Sequence, residues 1–510
     1  MTAKVYSSAV IGIKAQVIEV EVDLSSGLHA FNIVGLADKA VNEAKDRVSS
    51  AIKNSGAVAP QRLNKRITVN LAPADLKKEG SAYDLAIAVG YLLASKQIKN
   101  FEASKKLFLG ELALDGSLRP VPGILPIALL AQEKFEEIII PIKNVNEASL
   151  IKGIKIVGCN NLQEVIEYLE GKREMGFLST GEIDLNKFNE YPIDFSDIKG
   201  QYQAKRALEI AAAGGHNVLM VGSPGSGKSM LAKALPSILP TLSLEEALEV
   251  SQIYSICGLL SNENPIIINR PFRSPHHTAS KIALVGGGSW PKPGEISLAH
   301  RGVLFMDEIP EFARDVLESL RQPLEDGEIT VSRVQGSLTF PARFILVAAM
   351  NPCPCGYYGD PEKECRCSPS EILRYQKKIS GPLLDRIDLQ IEVPRIKYEE
   401  LKQENSGESS SVIRKRIEKA REIQKNRFSR LKKNIFTNAE MTSREVEEIC
   451  QLDDSAEKLL KKSIENWYLS ARSYYRILKV ARTIADLEES EIIKSEHIAE
   501  ALRYRIKNEN

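Results

Sequence analysis

The stretch Asn217-Val-Leu-Met-Val221-Gly222-Ser-Pro-Gly-Ser-Gly227-Lys228-Ser229 decides the fold. An apolar strand runs into a glycine-rich loop and straight on into a helical pattern over 230–239. Such a loop curls so that its backbone N–H groups converge on phosphate oxygens, and the following helix adds the positive end of its dipole. Gly222, Ser223, Pro224, Gly225, Ser226 and Gly227 are the expected phosphate cradle. Lys228 supplies a point charge to the β- and γ-phosphates, and the Ser229 hydroxyl is suited to ligate Mg²⁺. The cofactor set this motif predicts is ATP with Mg²⁺.

Two later strands fit the same site. Gly302-Val-Leu-Phe-Met306 ends in Asp307-Glu308, a buried strand tipped by two acids. Asp307 is expected beside Mg²⁺ and Glu308 beside the attacking water, which it orients and polarises. Phe344-Ile-Leu-Val-Ala-Ala-Met350 ends in Asn351, whose amide suits hydrogen bonding to the γ-phosphate or the water.

Around this centre lie 510 residues, enough for two to four domains. The net charge is +1, and 43% of residues are hydrophobic against 26% charged, which excludes a disordered, fibrous or wholly basic chain. A nucleic-acid surface must then be a local patch. No apolar run approaches the 18 or so residues of a membrane span. The N-terminal residues 1–23 alternate apolar and charged positions and read as strand, not as a signal peptide. Seven cysteines, four of them in one segment, fit a reduced cytoplasmic chain better than a disulfide scaffold.

Three segments and two linkers follow. Residues 1–170 alternate strands (Ala15–Val22, Arg66–Asn70, Glu137–Pro141) with helices (Lys39–Ser55, Asp84–Ala94), a compact α/β pattern. Polar residues 171–192 read as a linker. Residues 193–395 alternate apolar strands and helices as in a parallel sheet covered on both faces. A second linker spans 396–411, and 412–510 reads as helical. Within it, Val412–Thr437 is strongly basic and amphipathic, which suits a solvated surface helix or a nucleic-acid patch.

Cys353, Cys355, Cys365 and Cys367 form two C-x-C pairs able to converge on one Zn²⁺; reduced buried or redox-active thiols are the alternative. Cys159, Cys257 and Cys450 are isolated and read as core.

Together these motifs resemble the AAA+ ATPases. Asp197-Ile-Lys-Gly200-Gln201 is similar to that family's entry to the adenine pocket. Leu384-Asp385-Arg386-Ile387-Asp388 is similar to its arginine-finger segment. The resemblance implies that Arg386 reaches the γ-phosphate of a neighbouring subunit, and hence a homo-oligomeric ring, a hexamer as in related proteins; a local ion pair with Asp385 or Asp388 is the other reading. Arg472, at the head of a C-terminal helix, looks like the lid arginine, with Arg476 competing. The pieces from Arg273-Ser-Pro-His276-His277 to Leu298-Ala-His-Arg-Gly302 resemble the magnesium-chelatase-like branch, which carries β-hairpin insertions. Thr330–Thr339 reads as such a hairpin. The branch points it into the ring pore, making Arg333 and Gln335 DNA-backbone candidates, against a purely structural hairpin. His276 and His277 fit either a functional site or a turn. The cysteine block places the chain nearest the YifB/ComM group.

The N-terminal segment resembles that group's Lon-protease-like domain (ribosomal S5 domain 2-like). Where the proteases place the nucleophilic serine, Lys78-Glu-Gly80-Ser81-Ala82 supplies Ala82, and the partner-lysine slot holds Leu125. A hydroxyl with no amine to deprotonate it has no base, so the domain is expected to be non-proteolytic. The resemblance implies an α/β architecture: this first domain, then an AAA+ P-loop parallel sheet with a C-terminal helical lid. It further implies an ATP-driven ring motor on single-stranded, branched or D-loop DNA, a helicase of branch migration in natural transformation. A chelatase-type motor on a tetrapyrrole and an ATP-dependent protease or chaperone are the rival expectations.

Overall fold

A computed structural model describes residues 2–36, 38–174, 191–288, 291–333, 336–396, 407–430, 435–467 and 470–505. Most of each expected linker, and Gln335, lie outside the described residues. The chain divides into two compact units, Met1–Asn186 with Leu244–Ile267, and Lys187–Ser243 with Ile268–Asn510.

The first unit is built on seven strands: β1 (Thr2–Ile11), β2 (Lys14–Ser26), β3 (Ala30–Val34), β4 (Lys65–Ala72), β5 (Lys106–Phe108), β6 (Glu137–Pro141) and β7 (Lys155–Cys159). Their order is β3-β4-β2-β1-β5-β6-β7. The expected N-terminal strand is two, paired antiparallel from Thr2 opposite Asp23 to Ile11 opposite Lys14. Period-two alternation sets the faces: Val5, Ile18, Val20 and Val22 are buried, while Lys4 and Glu19 pair on the outer side at 2.6 Å. Helix α1 (Lys39–Asn54) starts where the Asp38 carboxylate accepts the Val41 N–H at 2.7 Å. Helix α2 (Asp84–Ala94) is buried nearly all round, and its first residue, Asp84, is gripped by Arg47 of α1 at 2.7 and 3.0 Å. Helix α3 (Ile124–Lys134) packs over a second apolar cluster.

The sequence reading leaves Leu244–Ile256 within the ATPase stretch; the structure packs this helix into the first unit. Its Ala247, Val250 and Ile253 are buried, Leu248 joins the cluster around α3, and Ser255 Oγ donates to Glu147 at 2.5 Å. Amphipathic spacing makes it a helix, but which core it covers is a tertiary matter.

The second unit carries a five-stranded parallel sheet: β8 (Val218–Val221), β9 (Phe272–Arg273), β10 (Val303–Met306), β13 (Ile345–Met350) and β14 (Leu389–Glu392), ordered β9-β10-β13-β8-β14. Between β10 and β13 an antiparallel hairpin is formed by β11 (Glu328–Arg333) and β12 (Gly336–Pro341). Strands β10 and β13 are buried throughout, as the near-continuous apolar sequence of a doubly covered parallel sheet requires. Helices α4 (Tyr202–Gly214) and α5 (Lys228–Ile238) pack against this core. The C-terminal helices α6 (Ser410–Arg430) and α7 (Ala471–Leu487) share the same apolar cluster.

Candidate functional site

Register places the site. Val221 pairs opposite Met350, and Met306 opposite Ala348, so β8, β10 and β13 end close together and deliver Gly222, Asp307 and Asn351 to one edge of the sheet. The carboxyl edge of an open parallel sheet is where such folds bind ligands. Lys228 Nζ donates to the Gly222 and Ser223 carbonyls at 2.6 and 3.0 Å and reaches Asn351 Oδ1 at 3.4 Å. Burial pulls the Lys228 ammonium below the usual lysine range, although Asp307 and Glu308 work the other way. A buried cation of this kind suits an anionic ligand. The Ser229 hydroxyl donates to Asp307 Oδ2 at 2.9 Å, two oxygen donors of the kind a hard divalent cation takes.

Glu308 sits in left-handed backbone at φ 50°, with its side chain 53% exposed. His277 Nδ1 stands 3.6 Å from Glu308 Oε2, and the His277 ring meets Phe312 edge-on at 6.5 Å. His276 stacks on His277 at 4.1 Å and bonds to Thr278, as a turn histidine does. The sequence left this pair open; the fold brings His277 to Glu308 and leaves His276 in the turn. Arg273 grips Glu295 bidentately at 2.6 Å, which ties together two motif fragments that lie apart in sequence.

Arg386 is paired neither with Asp385 nor with Asp388 among the described residues. Its guanidinium donates to the Pro382 carbonyl at 2.7 Å and to Glu325. The Arg386 hydrogen bond, with the charges of Arg472 and Arg476 adding to it, holds Glu325 below the ordinary glutamate range. Asp388 is instead taken by His216 at 3.1 Å and Arg476 at 3.2 Å. Arg476 is thereby committed inside the unit, whereas Arg472 is exposed.

The four clustered cysteines meet. Cys353 Sγ lies 3.4 Å from Cys355 and 3.7 Å from Cys365, Cys355 and Cys365 are 3.6 Å apart, and all four sulfurs fall within 4.8 Å of one another. A tetrahedral zinc with sulfurs at about 2.3 Å sets sulfur–sulfur separations near ~3.8 Å, so the donor set fits. All seven cysteines are free thiols. The Arg366 and Tyr357 N–H groups pull Cys355 down to about 6. Cys367, though it accepts from the Cys355 N–H, is pushed up to about 12 by burial and the adjoining sulfurs. A cation placed among the four sulfurs would favour their thiolate forms, and the cluster could hold one. Of the isolated cysteines, Cys159 and Cys450 are buried and Cys257 is half-buried.

The hairpin forms where expected, with Ile329, Val331 and Phe340 buried and Ser332 bonded to Ser337 at 2.8 Å. Arg333 ends β11 opposite Gly336. On the basic helix α6, Arg416 pairs with Glu209 and Glu408 at 2.8 and 2.7 Å, Arg421 donates to the Ala212 carbonyl at 2.9 Å, and Arg427 holds Asp486. These arginines fasten the helix to the unit, leaving Lys415, Lys419 and Lys425 to its outer side. In the first unit Ser81 donates to Glu111, Leu125 is fully buried, and Ala82 packs against the cluster that contains Leu125.

No helix among the described residues is long and apolar enough to cross a membrane. Residues 194–401 match the family described as magnesium chelatase, subunit ChlI; residues 20–144 match subunit ChlI of Mg-chelatase, and 407–505 its C-terminal family. The chain is 47% identical to competence protein ComM of Haemophilus influenzae, covering 99% of this chain and 97% of that one. It is 46% identical to YifB of Escherichia coli, covering 98% and 96%. The magnesium-chelatase 38 kDa subunit of Cereibacter sphaeroides is 29% identical over 32% of this chain and 53% of its own length. The chain belongs to the YifB/ComM group of magnesium-chelatase-like AAA+ proteins.

Proposed function

We propose that the chain is an ATP hydrolase that assembles into a ring, a hexamer, and drives movement along branched DNA, promoting branch migration during recombination in natural transformation. Convergence of Lys228, Ser229, Asp307 and Asn351 on one sheet edge supports the ATP reading. The match to a full-length relative supports the DNA reading. The match to a competence protein covers 99% of the chain at 47% identity, whereas that to the magnesium-chelatase 38 kDa subunit covers 32% of it at 29%.

In this reading the N–H groups of Ser223, Gly225 and Gly227 receive the phosphates and Lys228 neutralises the β/γ oxygens. Mg²⁺, when bound, spreads the charge of the transferring phosphoryl group. Ser229 and Asp307 hold it. Glu308 orients the attacking water and accepts its proton, and Asn351 fixes the γ-phosphate. Arg386 leaves Glu325 to reach the triphosphate of the next subunit, and Arg472 serves as the lid arginine. A guanidinium there stabilises charge only in the transition state. Arg333 and Gln335 track the DNA backbone from the hairpin, and the four cysteines hold a structural Zn²⁺. The first unit is a non-proteolytic scaffold.

The test is ATP hydrolysis with and without forked or three-stranded DNA. The reading expects stimulation, and DNA affinity that falls steeply as salt is raised. A rate indifferent to DNA would leave a motor with another substrate.

A further inference from the structure

The cysteine loop and the phosphate loop share a wall. Gly356, in left-handed backbone at φ 86°, lies so close to the Pro224 ring that a Cβ there would stand 2.7 Å from Pro224 Cδ and Cγ. The Asp360 side chain is closed off from solvent and pairs with Arg395 Nε at 2.9 Å. Its Oδ1 accepts the Glu362 and Lys363 N–H groups at 3.0 and 3.1 Å. Its carboxyl is held below the ordinary aspartate range by the nearby Ser223 hydroxyl and by those N–H groups. Arg395 lies over the Tyr357 ring at 5.5 Å.

Arg395 continues the segment that bounds the phosphate loop elsewhere. A Cβ on Gly222 would stand 2.2 Å from the Val393 carbonyl oxygen. Gln201 Nε2 donates to the Pro394 carbonyl at 2.6 Å and to the Ser226 carbonyl at 3.1 Å. The phosphate loop is therefore held between residues 393–395 and the cysteine loop, and the Arg395–Asp360 pair closes the bracket. Cys353 and Cys355 begin that loop directly after Asn351.

We propose that metal in the four-cysteine cluster and nucleotide in the phosphate loop bind with positive linkage, with Asp360 as the positioning residue that joins them through Arg395. The proposal rests on the metal reading of the cysteines given above. Four thiolates hold residues 353–367 in one conformation only while a cation neutralises them. Without it, Gly356 and Asp360 are released, and Ser223 and Pro224 lose the wall that keeps the cradle open. Nucleotide binding must then order that wall itself, and reciprocity requires bound nucleotide to retain the metal equally.

The test uses the full chain, zinc-loaded and zinc-stripped, with zinc quantified in each and a fluorescent ATP analogue titrated with Mg²⁺. Stripped protein should bind the analogue about 5- to 150-fold more weakly, the usual span of such coupling. A zinc-selective chromogenic chelator should extract the metal more slowly when ATP is saturating. Asp360→Asn should retain its zinc, weaken the analogue, and release zinc at a rate indifferent to ATP; Gly356→Ala, which drives a methyl into Pro224, should behave alike. Should stripping unfold the chain, these zinc-retaining variants decide the matter through the release rate. Equal affinities with and without zinc, or release that ignores ATP in the wild type, would overturn the linkage. Failure of the wild type to take up zinc at all overturns the metal reading and the linkage with it, and is told apart by the zinc assay itself.

Discussion

Ser229 and Asp307 lie 78 residues apart in sequence, and the hydroxyl of one donates to the carboxylate of the other at 2.9 Å. One oxygen heads the helix after the phosphate loop; the other tips the neighbouring acidic strand. Lys228→Ala and Asp307→Asn should each abolish binding of Mg²⁺-dependent nucleotide, measured by titration with a fluorescent analogue. Undiminished affinity in the Asp307 variant would remove that residue from the metal site.

Glu308 follows Asp307 directly, with its side chain 53% exposed. Glu308→Gln should bind ATP normally and hydrolyse it about 10²- to 10⁴-fold more slowly, the span expected when a general base is lost. Near-normal turnover would move the water to another residue.

Asp388 joins the start of β14 to α7 through His216 and Arg476. Burial opposes its ionisation, yet Arg476 and His216, with Lys479 adding charge, hold its carboxyl well below the aspartate range. A depressed folded-state value contributes stability that is fully present above the unfolded value of about 3.9 and is lost as pH falls below it. Asp388→Asn should cost roughly 3–5 kcal/mol at neutral pH by stranding Arg476. It should also flatten the acid limb of the unfolding midpoint measured between about pH 4 and pH 2. An unchanged acid limb would mean that another carboxylate governs it.

The cysteine cluster predicts about one zinc per chain by elemental analysis after purification without chelator. Cys365→Ser should lower that content and the thermal midpoint together. A metal-free protein of full stability would leave four reduced thiols.

Much of this was legible locally. The phosphate loop, the acidic strand tip, the hairpin and the C-x-C pairs each lie within one short run of residues, where spacing alone carries the chemistry. Helix α1, expected over Lys39–Ser55, runs over Lys39–Asn54, with Asp38 capping its start. What stayed hidden depends on distant packing. The Glu325 that holds Arg386 lies 61 residues upstream of it. Gly356 meets Pro224 only because β8 and β13 are neighbours. The approach of His277 to Glu308 follows from the adjacent pairing of β9 and β10. The helix Leu244–Ile256 reads as helix from its pattern, but only the fold says that Ser255 answers Glu147 in the first unit.

In that unit, Ala82 and Leu125 occupy an apolar cluster, and the Ser81 hydroxyl is spent on Glu111. ATP-dependent cleavage of casein or a fluorogenic peptide should therefore be undetectable. Cleavage that disappears in Ser81→Ala would restore a protease to this domain.

The central claim is that each triphosphate is hydrolysed between two copies of the chain. Arg386→Ala should bind ATP but turn it over about 10³- to 10⁵-fold more slowly, as loss of an arginine finger does. Lys228→Ala should be inactive for want of a phosphate loop. The decisive measurement is the ATPase rate of the two variants coassembled in equal amounts. Where an Arg386→Ala copy offers its loop to the arginine of a Lys228→Ala copy, a competent site is rebuilt, and random mixing does this at about one seam in four. Recovery approaching a quarter of the wild-type rate is the predicted result; a mixture as inactive as its components would contradict hydrolysis at a shared seam.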